Sequence, residues 1–216
     1  NMGDTDSRRM LLMPPARPMI LIPAAGASRR MEGRDKLIEE IDGEPILQRV
    51  VRLAKGTGCE VRVTLPATGS FAAGRLKAVT DLAVAVMPIA DASEGMSASL
   101  RAGAAAADGR ALMILLPDMP EIDASDLAQM LAAFDADPLR VLRATAEDGT
   151  PGHPVIFPQE LVDGLLALQG DQGARGMLSG RDVRLCPLPG RHAVTDLDTP
   201  QDWEAWRTGR APRGEL

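Results

Sequence analysis

Residues Met19 to Leu37 read MILIPAAGASRRMEGRDKL, and this stretch constrains the chain more than any other. A short apolar run, Met19 to Ile22, stops at Pro23 and opens into Ala24, Ala25, Gly26, Ala27 and Ser28. Arg29, Arg30, Arg34 and Lys36 follow within a few positions. The pattern predicts a buried strand running into a small-residue loop, where Gly26 lets the backbone come close to a ligand. Cations beside such a loop suit phosphate oxygens, because arginine offers a planar fork of donors and lysine a point charge. Solvated surface arginines are the competing reading. The spacing excludes two other phosphate loops, since neither G-x-x-x-x-G-K-[ST] nor G-x-G-x-x-G is present.

Beyond the loop, strand and helix patterns alternate. A turn at Asp42-Gly43 precedes a predicted helix over Pro45 to Lys55, with Ile46, Leu47, Val50, Val51 and Ala54 on its inner face. Glu60 to Leu65 and Ala83 to Ile89 read as strands, separated by a loose Gly/Ala segment with room for a short helix. Ser97 to Ala107 reads as a helix capped by Ser97 or Ser93. The almost wholly apolar Ala111 to Leu116 suits a central parallel strand. Asp123 to Phe134 is a predicted helix and Arg140 to Ala146 a strand. The second half is less regular, with strands over Pro154 to Phe157 and Val183 to Leu188. Helices are expected over Gln159 to Leu168, Gln172 to Leu178 and Pro200 to Arg207, the last capped by Thr199 or Asp198. This alternation argues for a parallel α/β sheet, in which ligands sit past the carboxyl ends of the strands. The basic loop after the first strand and Asp118 after the fourth are therefore expected to face one crevice.

Asp118 directly follows the run LMILLP, and a carboxylate there is poorly explained as core. It reads as a Mg²⁺ ligand, since that ion takes hard oxygen donors and is satisfied by one or two carboxylates plus substrate phosphates. A turn or capping aspartate is the bland alternative. Asp196 and Asp198, two apart in DLDTP, would face one side of an extended segment. Either could supply a second ligand, and Asp198 equally suits the cap of the last helix.

The loop AAGASRRM…DKL resembles the L-A-A-G-x-S-x-R-M-G-x-x-K signature of nucleotidyltransferases that activate sugars, alditols and pterin cofactors. LPDMP (116–120), GHPVIF (152–157), GDQGAR (170–175) and DLDTPQDW (196–203) resemble the molybdenum-cofactor nucleotidyltransferases, nearest to their cytidylyltransferase branch. The resemblance runs from about Met19 to Trp206, with one departure, Glu32 inserted between Met31 and Gly33. It implies a three-layer, mostly parallel, Rossmann-like sheet of the nucleotidyltransferase (GT-A-like) type. It also implies Arg30, Lys36 and Asp118 as catalytic residues, and Ala24 to Arg29 with Gly95, Ser97 and Ser99 around the nucleotide. Asp118 with Asp196, Asp198 in reserve, would hold Mg²⁺, and His153 and Arg175 would flank the acceptor. Taken alone, each serine is equally a helix cap, and His153, one of two histidines, a turn residue.

The implied reaction is CMP transfer from CTP to the phosphate of molybdopterin, releasing pyrophosphate. GTP, or a sugar or alditol phosphate acceptor, is the alternative. Ala24-Ala25-Gly26 in place of A-G-G leans toward CTP. A non-catalytic cofactor carrier is a different class, and retention of Lys36, Asp118 and Asp196 together argues against it. A molybdoenzyme or its maturation factor is a further implied partner.

An apolar fraction of 45% is ordinary for a globular protein. The 216 residues suit one domain over 18–208, with a disordered leader over 1–17 and a flexible tail over 209–216. A net charge of −6 argues against nucleic acid as partner. Cys59 and Cys186 form no ligand spacing and suit a reducing cytoplasm. No signal peptide or membrane span is expected. There is no Tyr, so the core must be aliphatic.

Overall fold

The run that opens the chemistry is an interior strand, β1 (Met19–Pro23), every residue of which is buried. The computed structural model describes residues 17–90, 95–170 and 173–209. The expectations for the leader before Arg17, for Ser93, for Asp171 and Gln172, and for the tail beyond Gly209 lie outside the described residues. β1 pairs in parallel with β4 (Val61–Pro66) on one side and β6 (Leu112–Ile114) on the other. β5 (Ala85–Ile89) extends the parallel set beyond β4. On the far side, β8 (Pro151–Phe157) runs antiparallel to β6 and to β7 (Val141–Thr145), and β9 (Val183–Pro187) closes the sheet parallel to β7. The order is β5-β4-β1-β6-β8-β7-β9, and β8 alone of these seven runs against the rest.

Side chains alternate across β1 and so divide the interior in two. Ile20 and Ile22 belong to one cluster, with α1 (Ile46–Gly56), α4 (Ala124–Asp135) and α7 (Pro200–Gly209) covering them. Met19 and Leu21 belong to the other, under α3 (Met96–Ala106), α5 (Gln159–Val162) and the 3₁₀ turn Asp163–Ala167. The result is the expected three-layer, mostly parallel α/β sandwich. Gly103 makes the contact between α3 and β1 possible, since a Cβ there would lie 2.3 Å from Leu21 Cδ2. No helix of the described residues is long and apolar enough to cross a membrane.

Local chemistry explains where elements start. Asp42 (φ 54°) and Gly43 (φ 79°) form the two-residue turn of a small hairpin, β2 (Glu40–Ile41) with β3 (Glu44–Pro45). That is the dipeptide and backbone such turns favour. Pro45 ends this hairpin, and α1 begins one residue later than expected. Asp123 caps α4 by accepting from the amides of Ser125 (2.8 Å) and Asp126 (3.0 Å), while Asp126 returns a bond to the amide of Asp123 (2.9 Å). The segment between β4 and β5 holds a full helix, α2 (Ala72–Thr80), longer than the sequence suggested. The helix expected over Gln159 to Leu168 breaks after Val162, where Gly164 admits the end of Met177 to 2.8 Å of its ideal Cβ. α6 is short (Arg175–Leu178).

Candidate active site

Because β1 and β6 are parallel neighbours, the loop after one and Asp118 after the other emerge at the same edge of the sheet. Ala24 continues the edge by donating to Thr64 O (3.0 Å). Ala24 and Ala25 are packed beneath the loop, Ala25 against Ile89 and Ala98. Gly26, Ala27, Ser28, Arg29 and Arg30 line a cavity of about 300 Å³, with Lys36, Gly95, Ser99, Asp118 and Asp198 around it. A Cβ on Gly26 would meet nothing within 4 Å, so the backbone there is bared to the cavity. Gly95, at φ 68°, takes a backbone that L side chains avoid and opens α3 at the cavity wall.

The carboxylates converge through the backbone. Leu197 N donates to Asp118 O (3.2 Å), which brings the DLDTP segment beside the end of β6. The α7 cap is made by Thr199, whose hydroxyl accepts from Asp202 N (3.1 Å), while Asp202 accepts from Thr199 N (2.8 Å). Asp198 is thereby spared from capping. Its two oxygens take Lys36 Nζ (2.6 Å) and Arg30 (2.5 Å), and Lys36 also binds Asp118.

Burial alone would lower the Lys36 pKa, but the charges and hydrogen bonds of Asp118 and Asp198 outweigh it and raise it. Burial pulls Asp198 upward, yet Lys36 and Arg30 hold it below the usual range. Asp196 goes the other way, raised by burial and by the charges of Asp198 and Asp118. Asp118 is 8% exposed, and its Oδ1 is buried without a hydrogen-bond partner among the described residues. Hard carboxylate oxygens, one of them free, fit an alkaline-earth type cation. Asp198 rather than Asp196 carries the direct bonds to Lys36, while Asp196 lines the neighbouring cavity.

That second cavity, of about 690 Å³, lies beside the first and is lined by His153 and Arg175 among others. Burial, followed by the charge of Arg143, lowers the His153 pKa to about 4, so its ring is neutral at pH 7. Ser97 does not line the first cavity; its hydroxyl binds Gly170 O, and the Ser99 hydroxyl accepts from Thr64 (2.9 Å). Both hydroxyls are thus tied into the frame of the site.

Sequence reasoning missed Arg75, on α2. It is wholly buried and binds both arms of the loop, Ala24 O at 2.7 Å and Gly26 O at 2.6 Å on one side and Asp35 on the other. It also missed Arg143 and Arg191 in the second cavity. In the sequence Gly152 stands out only as the first residue of GHPVIF. A Cβ there would lie 1.8 Å from Ala193 O, and the next amide, His153 N, donates to that same oxygen (2.8 Å). Gly152 therefore lets the segment leading to Asp196 and Asp198 lie flat on β8. Gly152→Ala is expected to destabilise the fold by about 1–3 kcal/mol and to lower turnover disproportionately, because the segment must move. Thermal melts and initial rates check this, and wild-type values in both would refute it.

A mostly parallel α/β sheet with a basic loop and a carboxylate cluster at one strand edge suits the binding of a phosphate-bearing ligand with a divalent cation. The family model described as the MobA-like NTP transferase domain matches residues 20–185, and the chain belongs to that family. A probable molybdenum cofactor guanylyltransferase of Opitutus terrae is 39% identical over 199 residues, 87% of this chain and 94% of the relative. Among solved structures, Rv0371c of Mycobacterium tuberculosis H37Rv superposes with a TM-score of 0.76 at 24% identity, over 89% of this chain and 98% of that one. A complex of Rv0371c with manganese superposes at 0.73 with 22% identity, over 90% of this chain and 100% of that one. At these identities the structural likeness speaks for the fold.

Proposed function

We propose that this chain transfers CMP from CTP to the phosphate of a molybdopterin-type cofactor, with release of pyrophosphate. The observation that carries this reading is Lys36 held between Asp118 and Asp198 at the strand edge, beside the bared loop at Gly26. The relative named a molybdenum cofactor guanylyltransferase supports the acceptor class.

In the proposed reaction a phosphate oxygen of the acceptor attacks the α-phosphorus of the triphosphate. The bond from that phosphorus to the bridging oxygen breaks, and pyrophosphate leaves with the electron pair. Loop amides from Gly26 to Ser28 orient the phosphates, and Arg29 extends the cationic rim. Arg30 and Lys36 stabilise charge on the α-phosphate and the leaving group. Asp118 and Asp198, with Asp196 beside them, would hold Mg²⁺, which supplies charge neutralisation on the phosphates. A protein of the same fold, Rv0371c, forms a complex with manganese, which supports a divalent ion in the reaction. No protein nucleophile or general base is needed, because a phosphate monoester is already ionised at neutral pH. Catalysis is then positioning and electrostatics. His153 and Arg175 flank the acceptor.

CTP is favoured by Ala24-Ala25-Gly26 standing where the commoner loop has A-G-G. GTP is the second reading, favoured by the guanylyltransferase name of the relative at 39% identity. Pyrophosphate release with CTP, GTP, ATP and UTP, with Mg²⁺ and with or without molybdenum cofactor, tests both. Release only with cofactor, and at least about tenfold faster with CTP, is expected. A GTP preference overturns the base assignment. Metal-independent cofactor binding with no release from any triphosphate points to a carrier.

A further inference from the structure

The second cavity is cationic in an acidic protein. Arg143, Arg175 and Arg191 line it, and the carboxylate on its lining is Asp196. Elsewhere arginines such as Arg52, Arg110 and Arg140 pair with carboxylates. Among the described residues Arg143 and Arg175 form no ion pair with a carboxylate, while Arg191 also acts on Asp148. An arginine kept from its usual partners beside a cavity is available to a ligand.

Arg143 is the best built of the three. It projects from β7, is half-buried, and is steadied by β8: its Nε donates to Gly152 O (3.0 Å) and one terminal nitrogen to Pro151 O (3.4 Å). The other terminal nitrogen has no protein acceptor among the described residues. Burial and the charge of Arg175 both act against the cation, a cost that a bound anion offsets. Apart from Thr150, most of the remaining lining is apolar, with Leu100, Ile114, Leu116 and Leu178, plus the neutral His153, whose Nδ1 is buried without a partner among the described residues. An apolar slot with an uncharged hydrogen-bonding ring and a fixed guanidinium suits a flat heterocycle bearing a negative group.

We propose that Arg143 is the anion-recognising residue of this cavity and, with Arg175 and Arg191, restricts the acceptor to an anionic heterocycle. This rests on the reading of the cavity as the acceptor site. The full chain is titrated anaerobically with molybdopterin, followed by pterin fluorescence, and separately with CTP and Mg²⁺. Arg143→Gln is expected to weaken molybdopterin binding roughly tenfold to a hundredfold and leave CTP binding unchanged. Arg143→Lys restores part of the loss, since it returns the charge without the fork. Wild-type molybdopterin affinity in Arg143→Gln overturns the proposal. If the wild-type chain binds CTP but not molybdopterin, the acceptor named above is wrong, and Arg143 is then decided with inorganic phosphate. Phosphate slowing phenylglyoxal modification at Arg143, mapped by mass spectrometry, upholds the anion site, and modification at an unchanged rate overturns it.

Discussion

Asp118→Asn is expected to lower turnover by about a thousandfold and to leave the melting temperature within a few degrees of wild type. The substitution keeps side-chain volume, so no cavity forms in the wall beneath Leu116 and Pro117. What changes is charge. Asp118, Asp196 and Asp198 crowd together, and Lys36 binds two of them. Removing one negative charge relieves repulsion within that group, which offsets the lost pairing with Lys36. In Asp118→Asn the ammonium faces an amide that can donate as well as accept, and it moves toward Asp198. The buried Oδ1, which has no partner among the described residues, loses its charge as well. A reaction with no protein nucleophile depends on charges held in place around the phosphates, so the loss falls on catalysis. Rates over a Mg²⁺ titration, with a thermal melt of the same preparation, decide the matter. Turnover above about a tenth of wild type would remove Asp118 from the machinery, and an unfolded variant would make it a structural residue.

The parts legible in the sequence are those encoded by local pattern. LMILLP reads as a buried strand because nearly every residue is apolar, and whatever follows it must lie at the edge of the sheet. The loop at Gly26 and the carboxylate at 118 were therefore placed correctly without coordinates. Spacing alone could not show that Thr199 caps α7 and leaves Asp198 to Lys36 and Arg30, with Asp196 on the neighbouring cavity. Ser97 and Ser99 stand at the start of a helix, and their hydroxyls bind Gly170 and Thr64, residues distant in the chain. Nothing local signals that Gly152 must admit the backbone of Ala193, or that β8 runs against its neighbours. Arg143 sits in a strand, VLRAT, where an arginine reads as an exposed edge.

Arg75 was the least legible residue, and its removal is expected to have the largest effect on stability. Arg75→Ala should cost about 3–5 kcal/mol, a large share of the roughly 5–15 kcal/mol of a typical domain. Its segment, FAAGRLKAV, reads as a loose Gly/Ala stretch, and its partners lie 40 to 51 residues away. In the fold each of its donors has an acceptor. Nε and one NH2 hydrogen bind Asp35 at 2.8 Å, NH1 binds Ala24 O and Gly26 O, and NH2 also reaches Ser28 Oγ at 3.0 Å. Phe71 covers one face, its ring centroid 5.3 Å from the guanidinium carbon. Alanine would leave the Asp35 carboxylate without its cation and two carbonyls without their donor, inside a protein where such groups are expensive. The functional consequence follows from the same bonds. Asp35 also accepts from Leu37 N (3.1 Å), so one guanidinium sets both the loop from Ala24 to Ser28 and the segment that carries Lys36. Arg75→Lys supplies three donors without the fork and can satisfy only part of this set. It is expected to fold, with a lowered melting temperature, and to lose about a hundredfold in kcat/KM for the triphosphate, mostly through KM. Denaturant unfolding of both variants and steady-state rates of the lysine variant measure these effects. If Arg75→Lys keeps wild-type kcat/KM, the nucleotide loop holds its shape without this residue, and the arginine serves the core alone.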